Sequence, residues 1–249
     1  MTITGQHNRR LKEIRKLRMR RRWRERSGRF VAEGEDLLAA ADEAGWKPMQ
    51  RYVVTGSGIE GTEVDASLLA SASGIASGTR ALAVYREKWA EKPIGPLCVY
   101  LHGIHDPGNL GAIIRSAEAF GASSLALGPE TADPFGPKAV RASMGAIFTV
   151  PIARAAALAD LPGLRIALVP GEGTPISEPW QSSFTPPNQD AKVRPEITLM
   201  IGSEREGLPQ SVIEDADLTA HIPIKTNSLN AAMAATVALY ELTHTMERR

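Results

Sequence analysis

The chain of 249 residues is 43% hydrophobic and 23% charged, with 22 Gly, 17 Pro and a formal net charge of +1, which excludes disordered and collagen-like classes and allows one large or two smaller domains. No apolar run reaches the ~18 residues that span a bilayer, and no short apolar segment with a small-residue cleavage site opens the chain, so neither a membrane-spanning nor a secreted protein is expected. The one cysteine, Cys98, forms neither an internal disulfide nor a cysteine-based metal site on its own, which fits a reducing, cytoplasmic setting.

The near-zero net charge hides an asymmetry. Residues 9–29 hold twelve Lys or Arg against Glu13 and Glu25, a local charge of +10 that leaves −9 for the remainder. A cationic run on a mildly acidic body points to a polyanion partner, because each neutralised phosphate releases condensed counterions. Arg9, Arg10, Lys12, Arg20, Arg21 and Arg22 are the candidate nucleic-acid contacts, with Trp23 placed to stack on a base. Leu11, Ile14 and Leu17 fall at helical spacing and give the run a side that docks on the body. A mitochondrial transit peptide is the weaker reading, because the run passes directly into a patterned segment.

Phe30–Ala44 reads as a helix with Leu37, Leu38 and Ala41 inward and Gly45 closing it. RYVVT (51–55) and RALAVYRE (80–87) read as strands flanking a helical DASLLASAS, so residues 1–90 form a small α/β domain. The Pro- and Gly-containing stretch 91–96 reads as a linker. Residues 97–249 then alternate short apolar strands (LCVYL, SSLAL, LRIALV, EITLMI, LTAHIPI) with helices (NLGAIIRSAEAF, KAVRASMGAIF, a short one near Gln210–Glu214, and SLNAAMAATVALYELTHTM). That alternation argues for a parallel sheet covered on both faces, and the Pro-rich stretch from Gly171 to Pro195 for an exposed loop.

Two patterns carry no chemistry. Gly56-Ser57-Gly58-Ile59-Glu60-Gly61 matches G-x-G-x-x-G, but no helix follows at once and no carboxylate stands about 20 residues on, so it reads as a Gly-rich turn. His102 and His105 lack the further ligands a metal site needs, and no metal is expected.

Three segments are informative. HDPGNLGAIIRSAEAF (105–120) turns from strand to helix, with Asn109 as the expected N-cap, an apolar stripe of Leu110, Ile113, Ile114, Ala117 and Phe120, and Arg115 directed along the carboxyl edge of the sheet. IGSEREGLP (201–209) ends a strand in a Gly-bounded turn carrying Glu204 and Glu206. HIPIKTNSLNAAMAATVALYEL (221–242) leads from a strand into an Ala-rich helix with Ser228 as the expected cap and Asn230 in its first turn.

Together, N-x5-R, G-S-E-x-E-G-L and S-L-N in this order resemble the SpoU (TrmH-type) RNA 2'-O-ribose methyltransferases of the SPOUT superfamily. The resemblance covers residues 97–245, the stretch 133–152 is similar to the family's segment between its first two motifs, and the basic N-terminal segment is similar to its substrate-binding module. It implies an α/β SPOUT fold with a C-terminal trefoil knot, preceded by a small α/β substrate-binding domain. It further implies S-adenosylmethionine held by Ile201, Gly202, Ile222, Pro223, Ile224, Ser228 and Leu229, largely through backbone groups. Asn109, Arg115, Glu204, Ser228 and Asn230 would form the reaction centre. The sequence departs from the family in Lys225-Thr226-Asn227, which fills a link that is often glycine-containing.

The activity implied is methyl transfer to a ribose 2'-hydroxyl of structured RNA, leaning towards ribosomal over transfer RNA, in a homodimer built on the helix from Asn109 and the C-terminal helix. A guanidinium is a poor base, so Arg115 is read as an anchor for a phosphate and the developing alkoxide, with Glu204 orienting Arg115 or the ribose. Lys138 and Arg141, at i,i+3 on one helix face, are further phosphate contacts. A catalytically silent RNA-binding protein of the same fold and a base methyltransferase of the wider SPOUT superfamily are the rival readings.

Overall fold

The computed structural model describes residues 2–73, 78–155, 157–178 and 196–247. It divides into two compact units, residues 1–88 with 133–149, and residues 89–132 with 150–249. The first opens with helices α1 (Arg9–Met19) and α2 (Arg21–Ser27), separated by Arg20 in an extended conformation. Leu11, Ile14 and Leu17 are buried in its core, as their spacing requires. Strand β1 (Arg29–Glu33), helix α3 (Glu35–Glu43), strands β2 (Gln50–Val54) and β3 (Thr62–Val64), helix α4 (Ala66–Ser73) and strand β4 (Ala81–Arg86) complete a sheet of order β1-β4-β2-β3.

The continuous helix expected over residues 30–44 is corrected here. Phe30 to Glu33 form a strand, paired antiparallel with β4 so that Phe30 faces Tyr85 and Glu33 faces Leu82. Gly34 at φ 106° breaks the chain direction before α3 begins. The Gly56-to-Gly61 stretch is a turn leading directly into β3, with Gly56 and Gly58 in the left-handed region.

The second unit begins with strand β5 (Leu97–Leu101), helix α5 (Pro107–Ala119) and strand β6 (Ser124–Leu127). The chain then contributes α6 (Pro137–Ala142) and a 3-10 turn (Ala146–Phe148) to the first unit, where the sequence pattern predicts a single helix of the second domain. Met144 at φ 51° and Gly145 at φ 105° divide it, and a Cβ on Gly145 would meet that of Ala40 at 2.7 Å. What attaches this segment is an aromatic cluster: Phe135 lies 4.9 Å from Phe30 and Phe148 lies 5.2 Å from Trp46 between ring centroids, with the Trp46 indole donating to the Phe148 carbonyl at 2.7 Å.

Strands β7 (Ile152–Arg154), β8 (Leu164–Leu168), β9 (Thr174–Pro175), β10 (Ile197–Ile201) and β11 (Leu218–His221), with helices α7 (Gln210–Glu214) and α8 (Ala231–Glu247), complete the second unit. Its seven strands are all parallel, in the order β7-β6-β5-β10-β8-β11-β9. Every residue of β5, β6 and β10 is buried, the signature of strands covered on both faces. Ile197 of β10 registers with Leu97 of β5 on one side and Leu164 of β8 on the other. The order therefore reverses at β5/β10, the kind of switch point where open parallel sheets bind ligands outside their carboxyl ends. Thr174–Pro175 lies within the stretch read as a loop, and its residues 179–195 fall outside the described residues. Among the described residues no helix is long and apolar enough to cross a membrane.

Candidate functional site

At the carboxyl ends of β8 and β10 lies a cavity of about 460 Å³, within the range of small-molecule sites. Leu168, Ile201, Leu208 and Ile213 give it apolar walls, and Glu172, Glu204, Asn227 and Ser228 give it polar ones. Of the residues expected to hold a cofactor, Ile201, Gly202, Ile222, Ile224, Ser228 and Leu229 line it; Pro223 is exposed and is not among the lining residues.

Local chemistry explains the floor. After β10, Ser203 and Gly207 exchange backbone hydrogen bonds of 3.2 and 3.0 Å, and the Ser203 hydroxyl accepts from the Glu206 amide at 3.2 Å, folding Ser203–Gly207 into a tight hairpin. Gly207 turns it at φ 69°. Gly202 is required for space, because a Cβ there would run into the Gly207 carbonyl and the Leu208 nitrogen. Such a bare backbone beside a cavity lets a ligand approach main-chain groups closely.

Beside the cavity the three motifs meet. The Asn109 side-chain amide donates to the Glu204 carboxylate, and the Asn109 carbonyl accepts from the Asn230 amide at 3.1 Å. Asn230 in turn accepts, through its own Oδ1, from the Ala232 and Met233 backbone amides at 3.0 and 3.3 Å. Residues 95 and 121 positions from Asn109 are thus held by its single side chain. Both helix caps differ from the sequence reading. Asp106 caps α5, accepting from the Gly108 and Asn109 amides at 2.7 and 3.0 Å ahead of Pro107, which frees the Asn109 side chain. Asn230 rather than Ser228 caps α8, which begins at Ala231.

Arg115 lies apart from this junction. Arg115 is exposed in the third turn of α5, has no hydrogen-bond or ion-pair partner among the described residues, and does not line the cavity. The partner that Glu204 has in this chain is the Asn109 side chain. The sequence reading also missed the wall after β8, Val169, Pro170 and Glu172; the Pro-Gly-Glu turn following a buried parallel strand was the available signal. His102 hydrogen-bonds Tyr100 at 3.0 Å, and its pKa is lowered by burial, opposed by the charge of Glu130. Among the described residues no group of three or more His, Cys, Asp or Glu could hold a metal ion.

The basic segment is partly consumed by structure. Arg24 is buried in an ion pair with Asp133 at 2.7 Å and donates to the Leu17 carbonyl, and Arg18 pairs with buried Glu33. Burial raises the Glu33 pKa, opposed first by Arg18 and then by Arg141. Arg21 forms an exposed i,i+4 pair with Glu25. Arg9, Arg10, Lys12, Arg20, Arg22, Lys138 and Arg141 are exposed or part-exposed.

Comparison with known proteins agrees with the motifs. The model of the SpoU rRNA Methylase family matches residues 96–240, and that of the MRM3-like substrate binding domain matches residues 8–87. A 23S rRNA guanosine 2'-O-methyltransferase of Bacillus subtilis is 31% identical over 144 residues, 57% of this chain and 56% of that protein. A 23S rRNA uridine 2'-O-methyltransferase of Streptomyces viridochromogenes is 36% identical over 146 residues, 54% of this chain and 48% of that protein. The chain thus spans about half the length of these relatives. Among solved structures, an AdoMet-bound rRNA methyltransferase from Sinorhizobium meliloti superposes with a TM-score of 0.81 at 28% identity, covering 98% of this chain and 97% of that one. The AdoMet complex of the SpoU methyltransferase AviRb from Streptomyces viridochromogenes gives 0.80 at 26% identity, covering 96% and 98%.

Proposed function

The chain belongs to the SpoU rRNA methylase family, and from that premise we propose that it transfers a methyl group from S-adenosylmethionine to a ribose 2'-hydroxyl of ribosomal RNA. The observation that carries the reading is the Asn109 side chain joining Glu204 and Asn230 beside the cavity at the carboxyl ends of β8 and β10. The cavity fits the cofactor: its apolar walls suit an adenine, its few polar groups suit ribose and amino-acid ends, and Gly202 leaves main chain exposed to it. Ile201, Gly202, Ile222, Ile224, Ser228 and Leu229 would hold it, with Pro223 shaping the loop between them. When bound, S-adenosylmethionine supplies an electrophilic methyl group on a sulfonium.

The chain's own residues do the positioning, which supplies much of the acceleration of an in-line displacement. Asn109 holds one carboxylate oxygen of Glu204, leaving the other to accept a hydrogen bond from the ribose. Arg115 anchors a phosphate and the developing oxyanion, since a planar guanidinium fork matches both in geometry and charge. The exposed position of Arg115 suits a site completed across a homodimer. Met233, Val237 and Tyr240, at i, i+4 and i+7 on α8, form an exposed apolar stripe for that contact.

Residues 1–90, with 133–149 packed on them, act in this reading as the RNA-binding domain, 91–96 as linker and the rest of 97–249 as the methyltransferase domain, knotted at its C-terminal end. Arg9, Arg10, Lys12, Arg20, Arg21, Arg22, Lys138 and Arg141 are its phosphate contacts, and its place is the cytoplasm. Mass-spectrometric mapping of methyl groups on ribosomal and transfer RNA incubated with protein and S-adenosylmethionine tests it. One 2'-O-methyl on ribosomal RNA, lost in Asn109→Ala, is expected; a methylated base, or full transfer by the variant, overturns it.

A further inference from the structure

We propose that a cationic cleft on the first unit, between α1, α2 and β1, takes an unpaired RNA nucleotide: its phosphate on Arg9, Arg10 and Lys12, and its base on the Trp23 ring. The proposal deepens the RNA reading above, by naming the form of RNA that the basic segment grips.

The cleft has a volume of about 510 Å³ and is lined by Arg9, Arg10, Lys12, Lys16, Arg29 and Trp23. The side chains follow from α1: with Leu11, Ile14 and Leu17 turned into the core, positions 9, 12 and 16 share the opposite face at helical spacing. Glu13, the one carboxylate in the lining, is paired with Arg29 at 2.7 Å. Among the described residues no carboxylate forms an ion pair with Arg9, Arg10 or Lys12, so their charge faces the cleft uncompensated.

The wall is aromatic. Trp23 borders this cleft and a neighbouring one of about 280 Å³ that also involves Arg26, Ser27 and Arg29. Its ring is covered by the Lys16 ammonium at 4.5 Å from the centroid, and its indole nitrogen is buried with no hydrogen-bond partner. An ammonium over a ring occupies the face a base would use, and it is drawn off when a phosphate offers a better partner. A base then replaces Lys16 on the ring while Lys16 joins the phosphate contacts. Stacking on an aromatic wall requires a base that is free of its own helix, so a duplex, read by shape across its backbone, gains nothing from Trp23.

The test uses the full chain, a 12-nucleotide single-stranded RNA and a blunt duplex of the same length, followed by fluorescence anisotropy and tryptophan emission. The single strand should bind at least about tenfold more tightly than the duplex and quench emission, the quench being absent in Trp23→Phe, which preserves packing. Arg9→Gln with Lys12→Gln should weaken single-strand binding at least about tenfold and flatten the slope of log K against log salt by about 1.4, while Lys92→Gln on the second unit leaves both unchanged. Equal or tighter duplex binding, a quench that survives Trp23→Phe, or an unchanged slope overturns the cleft. Failure here with intact methyl transfer removes the cleft alone, and success here without transfer removes the activity alone.

Discussion

Two glycines in one turn give the sharpest test of how the cavity is built, because they are required for opposite reasons. An alanine Cβ at Gly202 would lie closer than 3.0 Å to three backbone atoms, the Gly207 carbon and oxygen and the Leu208 nitrogen. None of these is the end of a flexible side chain, so the strand of Gly207 must move and the Ser203–Gly207 bonds must stretch or break. Overpacking against rigid neighbours costs about 1–3 kcal/mol, and the backbone identity of the clash places Gly202→Ala at about 3 kcal/mol. For a chain of this size that lowers Tm by about 6–12 °C. At Gly207 the space is open but φ is 69°, so Gly207→Ala carries only left-handed strain of about 1–2 kcal/mol. Urea unfolding and calorimetric titration with S-adenosylmethionine separate the two. Gly202→Ala should lose more stability and, because the hairpin forms the cavity wall, weaken cofactor binding by at least about tenfold, the equivalent of 1.4 kcal/mol. Unchanged binding by Gly202→Ala, or a greater loss of stability in Gly207→Ala, would refute the reasoning.

Three further outcomes follow from buried or paired groups. Arg24→Gln should destabilise the first unit by about 3 kcal/mol in thermal unfolding, because it strands Asp133 in a largely buried site, whereas Arg22→Gln should shift stability by less than about 0.5 kcal/mol. The Cys98 thiol, fully buried and with its pKa raised by that burial, should resist a disulfide reagent at pH 8 and react only in denaturant. The Asp217 pKa is lowered chiefly by its hydrogen bond from Arg165 at 3.1 Å, so the stability it lends is present above the unfolded value of 3.8 and lost as pH falls through the lower folded value. Asp217→Asn should therefore cost about 0.5 kcal/mol at pH 7, a difference that closes in acid-unfolding curves as pH falls through the lowered folded value.

The parallel sheet was legible because its central strands are continuous apolar runs that nothing but double coverage explains. Strand β1 was not, since FVAEGEDLLAAADEA carries a helical period through its second half, and only pairing with β4, some fifty residues on, makes Phe30–Glu33 extended. The membership of residues 133–149 in the first unit was hidden for the same reason, because it depends on Phe135 and Phe148 finding Phe30 and Trp46. At the site, spacing named Asn109, Glu204 and Asn230 but not their bonds. It assigned the α5 cap to Asn109 although Pro107 marks Asp106 as the residue before the first turn. That single-residue difference matters chemically: a capping Asn109 would have spent its side chain on the helix and left Glu204 without its donor.

Charge shows the same gap between composition and surface. The sequence assigns +10 to residues 9–29, but folding turns four of the twelve cations inward or onto carboxylates: Arg18 to Glu33, Arg21 to Glu25, Arg24 to Asp133 and Arg29 to Glu13. Two of those carboxylates, Glu33 and Asp133, lie outside the run, so part of its charge is cancelled by the body to which it is fixed. The buried pairs at Arg18 and Arg24 fix where the two helices lie, and an arginine suits that task because its planar fork serves a carboxylate and a backbone carbonyl at once, as Arg24 does with Asp133 and Leu17. What remains for a polyanion is a smaller set whose placement, more than its number, decides what can bind. Arg9, Lys12 and Lys16 lie on one face of α1 against Trp23, concentrating charge beside an aromatic surface in a way that total charge along a chain cannot express.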